Sequence, residues 1–135
     1  MGKKKVVLDT NIFISALGWD KEPRKILYRC LTGEFDLVTS TQQLQELQRV
    51  INYPKFNFSD EQKQRLMSLI LETATVVEVL GIVNIIKEDV DDNIIIETAV
   101  VGNAQFIISG DQHLLKLKEF TTIKIVNPRE FLEIF

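Results

Sequence analysis

An α/β fold, with a parallel sheet covered by helices on both faces, is what this 135-residue sequence predicts. Short β-branched apolar runs alternate with amphipathic helical stretches along the chain, the pattern of strands joined by crossover helices. Two of those runs, Val6-Val7-Leu8 and Phe106-Ile107-Ile108, are apolar at successive positions, as strands buried on both faces are. Both give way to an aspartate and then to a helical segment. The length suits one domain, residues 1–135, around one core.

The elements follow in order. Lys5 to Leu8 reads as a buried strand, and Thr10 to Leu17 as a helical turn or short helix. Gly18 to Pro23 is a loop running into a second helix, with Pro23 in its first turn. That helix turns Ile26, Leu27, Cys30 and Leu31 to one side and stops near Gly33. Phe35 to Thr39 is a second strand. Ser40 or Thr41 caps a helix whose apolar stripe is Leu44, Leu47 and Ile51, and Tyr53-Pro54-Lys55-Phe56 breaks it. Ser59 or Asp60 caps the next helix, with Leu66, Leu69 and Ile70 inward. Thr75 to Leu80 reads as a strand, and Gly81 to Glu88 as a connection. Asp91 or Asp92 opens a strongly apolar helix that Gly102-Asn103 closes. A strand from Gln105 to Ser109, a short helix from Gln112 to Lys118 and a strand from Ile123 to Val126 follow. Pro128 opens a terminal helix at its first position.

Composition narrows the function. Apolar content of 45% and charged content of 26% are those of an ordinary soluble globular protein. A net charge of −3 excludes a generally basic nucleic-acid binder, so any cationic surface is local. The single cysteine, Cys30, cannot form an internal disulfide and lies on an apolar helix face, which fits a structural thiol in a reducing compartment. No targeting segment or membrane span is legible, so the expected location is the cytoplasm. A glycine-rich phosphate loop is also missing.

The acids carry the chemistry. Asp9 and Asp111 each follow a strand, where a carboxylate destabilises the fold unless engaged; capping the next helix is the bland alternative. Asn11 and Ser109 stand beside them as hydrogen-bonding groups, with a turn role open for Asn11. Asp89, Asp91 and Asp92 crowd one helix start, more acids than capping requires, and Asp92 directly precedes the apolar Ile94-Ile95-Ile96. Glu97 on the same helix reads as exposed, with a place near a metal as the alternative. Glu46 lies among Gln42, Gln43, Gln45 and Gln48, which by pattern alone is a solvated face; only its flanking of the apolar stripe and its helix's position after a strand favour function. His113 reads as an exposed helical residue and Trp19 as a loop side chain covering the core edge. The carboxyl ends of parallel strands face one crevice. Carboxylates gathered there repel one another unless protons or a cation intervene, and hard divalent cations bind carboxylates together with phosphate oxygens. The pattern points to a metal-dependent enzyme acting on phosphodiesters.

The run Val6-Val7-Leu8-Asp9-Thr10-Asn11-Ile12-Phe13-Ile14-Ser15-Ala16-Leu17 resembles the opening of PIN-domain ribonucleases. Val90-Asp91-Asp92-Asn93 with Glu97 and Ala99, then Phe106 to Asp111, resembles their second half. Tyr53-Pro54-Lys55-Phe56 and Pro128-Arg129-Glu130-Phe131-Leu132 resemble the branch of toxin components of toxin–antitoxin systems. The resemblance runs in order over nearly the whole chain. It implies a three-layer α/β/α sandwich and RNA cleavage that depends on Mg²⁺ or Mn²⁺. It places the catalytic acids on Asp9, Glu46, Asp92 and Asp111, metal ligation on Asp9, Asp92 and Asp111, and supporting polar groups at Asn11 and Ser109. It further implies an antitoxin partner and a homodimer. The chain departs from the pattern at Val90, where this branch often has proline, and at His113, where a further acid is common. Rival readings are a non-catalytic PIN-like module for RNA or protein contact, and a phosphatase-like or receiver-like domain; for a receiver, Lys124 inside a strand-like run fits poorly.

Overall fold

A computed structural model describes residues 2–81 and 90–135. Among these residues, strands β1 (Lys5–Leu8), β2 (Asp36–Ser40), β3 (Thr75–Val77), β4 (Phe106–Ile108), β5 (Glu119–Phe120) and β6 (Ile123–Val126) form one six-stranded sheet in the order β3-β2-β1-β4-β6-β5. All pairings are parallel except β5 with β6, which is antiparallel. The expected parallel sheet is therefore mixed at one edge. Two residues of β5 return beside β6 through Thr121, whose φ of 52° makes the reversal. Too short to bury a side, β5 has no periodic signature in sequence.

Helices α1 (Thr10–Leu17), α2 (Lys21–Leu31), α3 (Thr41–Val50), α4 (Asp60–Thr73) and α7 (Pro128–Ile134) share one core with Val6, Leu8, Leu37, Phe106, Ile108 and Val126. Helices α5 (Val90–Val101) and α6 (Gln112–Leu117) share the other with Val7, Val38, Ile107, Ile123 and Ile125. Successive strand residues point to opposite faces, so each three-residue apolar run feeds both cores. This is the three-layer α/β/α sandwich. Local chemistry starts the helices where expected: Ser59 and Gln62 form a capping box on α4, as do Asn127 and Glu130 on α7. The expected strand at Thr75 to Leu80 is confined to Thr75–Val77, and residues 82–88 of the expected connection, with Asp89, lie outside the described residues.

The two ends of the sheet differ in chemistry. At the amino end, Phe35 just before β2, Phe106 at the start of β4, and Phe131 and Phe135 pack with ring centroids 4.9–5.6 Å apart, mostly edge to face. Cys30 is fully buried, and desolvation pushes its thiol up to about 12. It is a core side chain, as expected. The carboxyl end is polar. The chain leaves β1 toward β2 on one side, while β4 lies on the other. That reversal makes the β1–β4 boundary the topological switch point, where open α/β sheets form their crevice.

Candidate active site

Asp9 follows Leu8 directly, and Leu8 pairs with Ile108 in register. The Asp9 amide donates to the Ile108 carbonyl at 2.9 Å, which extends the ladder by one bond. Asp9 and Ser109 thereby emerge side by side. Ser109 Oγ donates to Asp9 Oδ2 at 2.7 Å and accepts the Asp111 amide at 2.9 Å. Ser109 is fully buried and Asp9 nearly so. One hydroxyl thus fixes the first acid and shapes the turn that presents the last. Asp111 caps α6, its Oδ1 accepting the His113 amide at 2.7 Å. The capping alternative is realised, and the same carboxylate also faces the cluster.

Asp92 sits buried in the first turn of α5. A carboxylate gains there from the helix dipole. His113 Nδ1 stands 3.8 Å from Asp92 Oδ2 and 3.8 Å from Asp111 Oδ1. Ligand atoms of Asp92, Asp111 and His113 all lie within 4.8 Å of one another, a spacing one cation can span. His113, read from sequence as an exposed helical residue, is exposed but belongs to this cluster. Its place two residues after Asp111 on a short helix was the available signal.

Glu46 is where the pattern misleads most. The glutamines around it suggest solvent, yet Gln43 is buried, taking the Thr39 hydroxyl at 2.9 Å and donating to the Leu8 carbonyl. This side of α3 packs onto the carboxyl end of β1. Glu46 is half-buried, and its Oε2 is a buried oxygen without a hydrogen-bond partner among the described residues. Burial first, then the charges of Asp91 and Asp9, push its carboxyl up to about 7, with the neighbouring Thr10 hydroxyl opposing the rise. Asp91, passed over in sequence for Asp92, is the acid that faces Glu46. Its own contact is with Arg49, whose Nη2 lies 3.8 Å from Asp91 Oδ2.

The remaining candidates separate. Asn11 is exposed in the first turn of α1. Glu97 is buried rather than exposed: it accepts the Leu80 and Gly81 amides, the latter at 3.2 Å, and so ties the chain after β3 to α5. In the middle of an apolar helix it needed such donors, and only the fold supplies them. Trp19 is largely exposed, with the Arg24 guanidinium 3.5 Å from its ring centre, rather than laid over the core. It lines an apolar groove of about 290 Å³ with Leu17, Leu27, Tyr28, Arg65 and Leu69, which shares no residue with the acids.

The PIN domain family model matches residues 5–113, from the first residue of β1 to His113. The chain belongs to the PIN domain family. Asp9, Glu46, Asp92 and Asp111 all fall within the matched span. An uncharacterized protein of Methanocaldococcus jannaschii is 30% identical over 145 residues, covering 98% of this chain and 92% of its own length. A chain in the crystal structure of VapBC2 from Rickettsia felis, bound to a DNA fragment from their promoter, superposes with a TM-score of 0.58 over 91% of this chain and 98% of that chain. At 16% identity that likeness is one of fold. Among the described residues, no helix is long and apolar enough to cross a membrane.

Proposed function

We propose that this PIN domain is a metal-dependent endoribonuclease that hydrolyses RNA phosphodiester bonds, and that it is the toxin component of a toxin–antitoxin pair. The observation that carries the catalytic reading is the gathering of carboxylates from separate segments at the β1–β4 switch point. Ser109 ties Asp9 to the Asp111 turn, His113 stands between Asp92 and Asp111, and Glu46 feels the charges of Asp91 and Asp9. The donor set suits Mg²⁺ or Mn²⁺: carboxylate oxygens within reach of one ion, one imidazole, and a buried Glu46 oxygen with no hydrogen-bond donor among the described residues. Asp9, Asp92 and Asp111 are the proposed ligands. A divalent ion held there would supply Lewis acidity at the scissile phosphate and would lower the pKa of a water bound to it.

The chain's own groups do the rest. Ser109 holds Asp9 in one orientation through its hydroxyl. Glu46 orients the attacking water through Oε2 and receives its proton. The water attacks phosphorus in line, the bond to the leaving oxygen breaks, that oxygen takes a proton from solvent water, and no protein nucleophile is consumed. Asn11, exposed in the first turn of α1, is the proposed supporting polar group beside Asp9, with Ser109.

The partner reading is supported by the groove between α1, α2 and α4. Exposed apolar surface at Trp19 and Tyr28 beside Arg24 and Arg65 suits an amphipathic segment with acidic residues. A second copy of the chain, giving a homodimer, would cover other exposed apolar residues such as Leu71. Cleavage assays with single-stranded RNA, DNA and small phosphate esters in Mg²⁺ and Mn²⁺ test the activity. RNA is expected to be cut, and Asp9→Asn, Asp92→Asn and Asp111→Asn each to lower the rate about a hundredfold or more while the protein stays folded. Metal-independent cleavage, or wild-type rates in all three variants, would refute the assignment. Coexpression with the adjacent reading frame and light scattering test the antitoxin and the dimer: no complex and a monomeric mass leave a free-standing ribonuclease.

A further inference from the structure

Tyr53-Pro54-Lys55-Phe56 ends α3 and carries part of the family resemblance, yet the carboxylates give it no task. In the fold it begins three residues after α3, which bears Glu46 one turn before Arg49. Arg49 Nη1 donates to Tyr53 Oη, and its guanidinium carbon lies 5.9 Å from the Tyr53 ring centre. Behind Tyr53, Phe56 and Phe58 continue a stack of nearly parallel rings, 6.4 and 5.8 Å between centroids and 7° and 10° between planes. Arg49 and Tyr53 are both exposed. The Arg49–Asp91 contact of 3.8 Å exceeds hydrogen-bonding distance, so this surface ion pair is loose. A stronger acceptor can displace Asp91 at little cost.

RNA approaching this crevice meets carboxylates on a chain of net charge −3. A cation held by the acids offsets charge at the scissile phosphate, but the flanking phosphates need their own counter-charge. Among the described residues, Arg49 is the Arg or Lys side chain that reaches an acid of α5. A guanidinium is a planar fork that matches two phosphate oxygens. We propose that Arg49, held in place by Tyr53, is the subsite for the RNA backbone phosphate flanking the scissile one. Asp91 keeps the fork aimed at the rim until phosphate replaces it. The phenol is a positioning group: its oxygen holds Nη1, and its ring is braced by Phe56 and Phe58. The subsite rests on the nuclease reading above.

The test is binding of a labelled single-stranded RNA by fluorescence anisotropy across a salt series. It uses the full chain carrying Asp9→Asn in Mg²⁺, and the wild type in Ca²⁺ as a second background. Arg49→Ala is expected to weaken binding about tenfold and to reduce the slope of log Kd on log salt by about 0.7, the loss of one phosphate contact on a single strand. Arg49→Lys keeps the charge and loses the fork, so it should restore the slope but not the full affinity. Tyr53→Phe should weaken binding with the slope retained. A purely structural role would leave the slope untouched. If Arg49→Ala binds with the parent's affinity and slope, the subsite is refuted while the nuclease reading stands. If the parent binds no RNA in either background and the wild type cleaves none, both fall together.

Discussion

Ser109 shows how much one hydroxyl decides. It spends its proton on Asp9 and its lone pair on the Asp111 amide, so a single small side chain couples the acids after β1 and β4. Groups that hydrogen-bond a metal-ligating carboxylate set its orientation and commonly contribute 10–100-fold in metal affinity or activity. Ser109→Ala is therefore expected to weaken Mn²⁺ binding by about that factor, measured by calorimetry, in a protein that still folds; unchanged affinity would detach Ser109 from the site. Glu46 contributes a pH dependence. Its carboxyl is raised from 4.5 to about 7, so between those values the folded chain keeps a proton that the unfolded chain releases. The contribution of Glu46 to stability without metal therefore falls as pH rises through that window. The full linkage for such a shift is about 3 kcal/mol, which solvent access to a half-buried group cuts to about 1–2 kcal/mol. Melting scans in chelator should show wild-type stability declining from about pH 5 to about pH 8 and a flatter profile in Glu46→Gln. Parallel profiles would remove Glu46 from the electrostatic cluster.

At the scale of elements, α5 brings two acids to the candidate site. It carries Asp91 and Asp92 in its first turn, and Glu97 anchors the chain after β3 to its flank. Its carboxyl end packs closely on β2. Gly102 is the contact that allows this: a Cβ there would lie 2.3 Å from Val38 Cγ1. Asn103 then turns the chain with a φ of 55°. Gly102→Ala should push the helix off the sheet and destabilise the fold by about 1–3 kcal/mol, the range for overpacking. Denaturant melts would measure that loss, and a neutral result would mean that Val38 yields. The helix was legible in the apolar run from Ile94 to Val101. The burial of Glu97 was not, because its partners are amides more than a dozen residues away.

For the whole molecule, aromatic packing closes the amino end of the sheet and leaves charge crowded at the carboxyl end. Divalent metal should relieve that crowding. Saturating Mn²⁺ or Mg²⁺ is expected to raise the melting temperature by mass action, worth about 2.7 kcal/mol at a hundredfold excess over Kd. The gain should shrink in Asp9→Asn, whose metal-free form loses a mutually repelling carboxylate and is expected to melt no lower than the wild type without metal. An equal metal response in the two proteins would contradict a shared site.

Strand and helix periodicity, helix caps and the paired strand–aspartate–helix units were all local properties, so the sequence by itself determined the α/β sandwich and the positions of Asp9, Asp92 and Asp111 in it. Three-residue apolar runs such as Val6-Val7-Leu8 can only be buried on both faces, which forces helices above and below the sheet. Tertiary structure alone decided the environment of Glu46 and Gln43, the place of His113 beside Asp92 and Asp111, the different neighbours of Asp91 and Asp92, and the antiparallel edge strand β5. Each depends on what a distant segment places opposite a side chain. A glutamine-rich helix face reads as solvated until the end of β1 lies against it, and a carboxylate's pKa belongs to its neighbours as much as to itself.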